Sequence, residues 1–182
     1  MKSIYMKLYF EELYEQRFIF SKKIANYNNI FWVRPSENKW SLGETYYHLY
    51  LMVRRFRQLN KFYLPVSRRI ASARKDIIYK TSSKNIYTEY TEKHRASMKA
   101  PFILVPPKKI RGSITFFDLK NKIEEETKQL ENMVSHIEDN IAGHIRYLDP
   151  IAHNPNLIQS IHLLAIHEEH HFSLCTQYYN IV

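Results

Sequence analysis

Two histidines four residues apart near the C-terminus, His167 and His171 in IHEEHHFSLC, are the side chains most suited to chemistry. At 100° per helical residue, His171 falls about 40° from His167. Leu163, Leu164, Leu174, Cys175 and Tyr178 lie between about −40° and +80°. Both imidazoles therefore fall within an apolar stripe, with Glu169, Ser173 and His162 on the opposite face and His170 at the stripe's edge. Polar rings placed in a core need partners. One solution is a shared metal ion, which the i, i+4 spacing allows. The other is hydrogen bonding to neighbouring side chains. A third histidine, His48, has Leu51, Met52, Phe56, Leu59 and Phe62 within about 80° of it on its own helix and reads as core-facing too. If the two helices pack side by side, three rings can converge, which is how bundles build metal sites. His94, His136, His144, His153 and His162 have no such setting and read as surface or loop residues.

The elements that must carry these residues are helical. Residues 4–25 lack Gly and Pro and show helical apolar spacing through Tyr5, Leu8, Tyr9, Leu13, Phe18, Phe20 and Ile24. A loop at 26–40 leads to Ser41, which with Glu44 forms a capping box predicting a sharp helix start and a helix to about Phe62, ahead of Pro65. Residues 66–100 read as one short helix and polar connectors, with a linker at Pro101, Pro106 and Pro107. A charged amphipathic helix covers 116–138, a loop 146–156, and a last helix about 156–179. Four long helices predict an all-α four-helix bundle, with residues 1–182 as a single domain.

Composition narrows the function classes. Three glycines in 182 residues leave no glycine-rich phosphate loop. The lone Cys175 permits no internal disulfide, and the N-terminus has Glu11 and Glu12 where a signal peptide needs an apolar core, so a cytoplasmic location is expected. No apolar run reaches the length of a membrane span, so no membrane partner is expected. The net charge of +9 is scattered along the chain rather than gathered in a basic tail, and predicts no specific nucleic-acid binding.

Two segments carry a resemblance. WSLGETYYHL (Trp40 to Leu49) resembles the W-S-x-x-E-x-x-x-H-L motif of the DinB/YfiT-like superfamily, and HEEHHFSLC (His167 to Cys175) is similar to its C-terminal H-x-x-H-H motif. RYLDPIAHNPN fits the preceding loop, without the usual Gly. The resemblance implies a four-helix bundle holding one divalent metal, often nickel or zinc, on His48, His167 and His171. It implies a homodimer acting on a small molecule, and activities of two kinds: S-transfer from thiols such as bacillithiol or mycothiol, and hydrolysis. A chain rich in Lys, Ile, Asn and Tyr suggests an AT-rich bacterial genome, which favours bacillithiol. A non-enzymatic metal-binding stress protein is the third reading.

Three histidine ligands leave a coordination position for water or a thiolate. Among the remaining residues, Glu44 reads as the cap, with a base role as the alternative. Glu168 is a candidate partner for a ligand histidine, or an exposed carboxylate. Arg55, on the His48 face, is a candidate for anion binding, or a snorkelling arginine. Cys175 reads as a small buried residue rather than a fourth ligand.

Overall fold

Each long helix begins at a side chain that satisfies its first amides. In the computed structural model, which describes residues 1–95 and 98–181, Ser3, Ser41, Asn85, Thr115 and Asn156 cap the helices that follow them. These are α1 (Ile4–Lys23), α2 (Leu42–Ser72), α3 (Ile86–His94), α4 (Phe116–Val134), the single turn α5 (Asp139–Ala142) and α6 (Leu157–Tyr179). Short 3₁₀ turns at Ala25–Ile30, Phe102–Leu104 and Lys108–Ile110 sit in the connectors. The described residues contain no strand, only an isolated bridge between Arg146 and Asn156. The fold is all-α, and α1, α2, α4 and α6 form its helical bundle.

Two helix pairs make the bundle. α2 packs along α4 and α1 along α6, while α2 and α6 meet over a shorter stretch. One apolar core runs between the pairs, through Phe10, Leu13, Leu49, Leu119, Ile123, Leu130, Ile161 and Phe172.

The core faces differ from the sequence expectation in three helices. On α1 the buried positions are Met6, Tyr9, Phe10, Leu13, Arg17 and Phe20, while Tyr5, Leu8 and Phe18 face outward. On α2 the buried Leu42, Leu49, Val53, Asn60, Leu64 and Ala71 lie about 100–160° away from His48. On α6 the buried Leu157, Ile161, Leu164, Ala165, Phe172 and Cys175 lie about 60–160° from His167, which puts Glu168 in the middle of the stripe and both histidines at its edge. Aromatic and aliphatic residues occur on more than one face of these helices, so apolar spacing alone did not separate the faces. α2 also continues through Pro65 to Ser72 rather than ending near Phe62. Pro65 and Lys61, whose carbonyl the proline deprives of an amide, are both exposed, so water can reach that carbonyl.

Glu168 is 1% exposed, which overturns the expectation of a surface carboxylate. It forms an ion pair with Arg17, itself 3% exposed: Arg17 Nε donates to Glu168 Oε2 at 2.7 Å and a second guanidinium nitrogen donates to Oε1. Arg17 also donates to the Thr127 hydroxyl at 2.6 Å, and Thr127 donates to the Ile123 carbonyl at 2.7 Å. α1, α4 and α6 are thus tied at one buried point. A buried pair of this kind is costly to break from one side, because the remaining charge has no counterion. Arg17→Met is expected to lower unfolding free energy by about 3–5 kcal/mol in urea titrations. Arg17→Met combined with Glu168→Leu should recover most of that loss; equal destabilisation of the single and double variants would contradict the pairing.

Candidate metal centre

The capping box is the first fixed point of the site. The Glu44 amide donates to Ser41 Oγ at 3.1 Å and the Ser41 amide donates to Glu44 Oε2 at 2.9 Å. Arg34 donates to both carboxylate oxygens, at 2.8 and 2.7 Å, and Arg111 to Oε1 at 2.7 Å. Burial pushes the Glu44 carboxyl up, but Arg34, the Ser41 amide and Arg111 outweigh it and hold the pKa at about 2. With the start of α2 anchored, His48 falls at a defined rotation and height. The close approach of Trp32 strengthens the anchor: a Cβ at Gly43 would meet the indole ring at 2.6 Å.

His48, His167 and His171 come together where α2 meets α6. Their ligand nitrogens all lie within 4.8 Å of one another. His48 Nε2 and His167 Nε2 are 2.9 Å apart. Ring centroids are 4.9 Å apart for His48–His167, 4.8 Å for His48–His171 and 4.6 Å for His167–His171. His48 and His167 are buried, and His171 keeps part of its surface exposed. Trp40 closes one side, 4.9 Å from the His48 ring and stacked on His171 at 6.2 Å with 15° between the planes.

The outer nitrogens have partners. His48 Nδ1–H donates to the Leu104 carbonyl at 2.8 Å. A carbonyl only accepts, so in the neutral ring the proton is on Nδ1 and the Nε2 lone pair faces the cluster. His167 Nδ1 is hydrogen-bonded to the Tyr87 hydroxyl. Tyr87 also stacks on His170, with centroids 4.0 Å apart and 7° between planes. Burial lowers the His48 pKa to about 4, against the opposing pull of the Leu104 carbonyl. Burial, then repulsion from neighbouring imidazoles, lowers those of His167 and His171. The rings are therefore neutral at pH 7, the form that ligates metals.

This donor set fits a divalent ion. Two ring nitrogens 2.9 Å apart are within reach of one ion bonded to each at about 2.0–2.1 Å. Three imidazoles suit zinc, nickel, copper or iron rather than magnesium or calcium.

The other sequence candidates lie elsewhere. Arg55 is exposed and donates to Gln58 Oε1 at 3.1 Å; the His48 stripe leaves the bundle below that histidine and turns to solvent. Glu168 is committed to Arg17. Cys175 is buried outside the histidine cluster, and burial pushes its thiol up to about 11. His170 stacks on Tyr87, meets His171 edge-on with centroids 5.4 Å apart, and lines an open groove of about 510 Å³ between α3 and α6, whose lining includes Asn85, Thr88, Glu92 and Glu169. His162 is half-buried rather than a surface residue, stacked on Tyr9 and accepting from the Ser83 amide at 2.9 Å.

Sequence reasoning missed Tyr87 and Leu104, the residues that hold the outer nitrogens. Leu104 contributes only its carbonyl, which leaves no trace in residue type. The available signal for Tyr87 was Asn85, two residues before it, which accepts from the Tyr87 and Thr88 amides at 3.0 and 3.2 Å as a helix cap.

A family model described as DinB superfamily matches residues 29–175, a span that includes all three histidines. Comparison with curated proteins and with solved structures finds no match.

Depressed histidine pKa values set a pH dependence for the metal-free protein. Between the unfolded value of 6.5 and the folded value of about 4 for His48, the unfolded chain binds more protons, so stability is full above 6.5 and falls on acidification through that window. Urea midpoints from pH 7.5 to 4 should show this decline, and His48→Gln should flatten it. Equal slopes in both proteins would contradict buried, neutral His48.

Proposed function

This chain belongs to the DinB superfamily, and from that premise we propose that His48, His167 and His171 hold one divalent ion, nickel or zinc, in a transferase that joins a low-molecular-weight thiol to an electrophilic small molecule. The observation that carries the reading is the makeup of the cluster: three neutral imidazoles and, among the described residues, no carboxylate or cysteine sharing their space. Bound there, the ion supplies Lewis acidity that ionises a coordinated thiol, or a water, near neutral pH.

The chain's own residues supply orientation and shielding. The Leu104 carbonyl sets the His48 tautomer, the Tyr87 hydroxyl holds the His167 ring, and Trp40 covers His48 and His171. The nearby carboxylates are already engaged, Glu44 by two arginines and Glu168 by one. Among the described residues, hydrolysis assisted by a carboxylate base therefore finds no free group within the histidine cluster. S-transfer needs none: the thiol loses its proton to solvent, a C–S bond forms, and the electrophile's leaving group departs. The resemblance adds a cytoplasmic homodimer to this proposal.

Metal analysis after purification is expected to give about one ion per chain. His48→Ala, His167→Ala and His171→Ala should each lose it, and unchanged stoichiometry in all three would sink the site. Tyr87→Phe should keep the ion at saturation but bind it about 10- to 100-fold more weakly. Metal-loaded protein with bacillithiol and monochlorobimane should release chloride and form the thioether, and the His48→Ala variant should not. Ester or amide turnover without thiol would replace transfer by hydrolysis. Metal binding without either activity would leave a non-enzymatic metal-binding protein.

A further inference from the structure

The second half of α2 has an apolar stripe that none of the described residues covers. Leu59, Phe62, Val66 and Ile70 recur at spacings of three and four, within about 40° of one another's mean direction. They are 52%, 78%, 62% and 59% exposed. Leu148 extends the apolar surface: it is 98% exposed and follows Tyr147, which packs against Phe56 and Tyr63 of α2. These side chains stand out from a helix as a ridge rather than lining a groove.

The charge around the ridge is one-sided. From Arg54 to Lys84 the chain has ten Lys and Arg and a single carboxylate, Asp76. Arg54 and Arg57 are paired with Glu126 of α4. Arg55, Lys61, Arg69 and Arg74 are exposed and have no carboxylate partner among the described residues. Arg55 projects within the ridge itself and Arg69 along its edge, while Lys61 lies further round the helix and Arg74 just beyond its end.

We propose that this half of α2 docks the protein onto an anionic lipid bilayer. A ridge of separate aliphatic and aromatic side chains enters a fluid interface without needing a complementary surface, and the long cations beside it reach lipid phosphates. A second copy of the chain is a poor occupant. A two-fold contact sets a patch against itself, and here it would face cations with cations. Nucleic acid would use the cations and leave the ridge in water. The sequence expectation of no membrane partner rested on the lack of a span; a surface contact needs none.

The test is co-sedimentation of the full chain with phosphatidylcholine vesicles, plain or containing about one-third phosphatidylglycerol. Wild type should pellet with the anionic vesicles, and salt should release it. Phe62→Ser with Val66→Ser should weaken partition about tenfold or more at an unchanged melting temperature. Arg55→Gln with Arg69→Gln, which spares the apolar residues, should weaken it as well. Failure of wild type to pellet with anionic vesicles overturns the proposal, as does partition of both double variants equal to that of wild type. A wild-type dimer that Phe62→Ser with Val66→Ser dissociates, seen by sedimentation velocity, would reassign the ridge to a contact between copies. Tighter binding to single-stranded RNA than to vesicles, indifferent to the same variant, would reassign the cations.

Discussion

The rotation of α6 about its own axis depends on the Arg17–Glu168 ion pair. Glu168 occupies the centre of that helix's buried stripe, where any apolar residue would pack. A carboxylate there can be satisfied only by Arg17 reaching across from α1 and held in turn by Thr127 of α4. Turning α6 either way would strand a charge in the core. The adjacent His167, about 100° away, is thereby directed out of the α1 contact and toward α2. The histidine site is thus a consequence of where its neighbouring carboxylate is buried.

The cover over the site follows from the cap of the same helix. Asn156 and Gln159 form the capping box of α6 and also donate to the Lys80 and Ser82 carbonyls, each at 2.8 Å. His162 accepts from the Ser83 amide, and the Tyr9 hydroxyl donates to the Thr81 carbonyl at 2.8 Å. The irregular stretch before α3 is stitched to α1 and α6, and α3 starts where Tyr87 can meet His167. On the other side the turn at Phe102–Leu104 presents its carbonyl to His48. One connector between α2 and α4 therefore supplies both outer partners. It orients the two rings so that their inner nitrogens face each other.

α2 shows the same economy of faces. One side meets α4 and the core, and the side carrying His48 meets α6 only near its start. Beyond that point the same stripe continues through Arg55, Leu59, Phe62, Val66 and Ile70, which none of the described residues covers. An apolar periodicity that reads as a single core face thus has two fates along one helix. Near the N-terminus it is covered by Trp40, Leu104 and the other histidines, and further on it is open to solvent.

The sequence alone determined the four long helices, the cap at Ser41 and the three histidines. Ser41 with Glu44 and the HxxxH spacing are local signals, complete within one or two turns, and the hydrogen bonds of the cap form in any context. The all-α bundle follows from four such segments, and the capping role of Glu44 was legible in the same way. Tertiary structure alone decided which face of each helix was buried. α1, α2 and α6 carry apolar residues on more than one side, so burial depended on the neighbour. That choice placed Glu168 inside with Arg17 and left Arg55 outside. It also brought Tyr87 and the Leu104 carbonyl, from a connector with little periodicity, against the outer nitrogens of His167 and His48. The histidine types were written locally; their convergence and their neutral charge state required the burial that only packed helices provide.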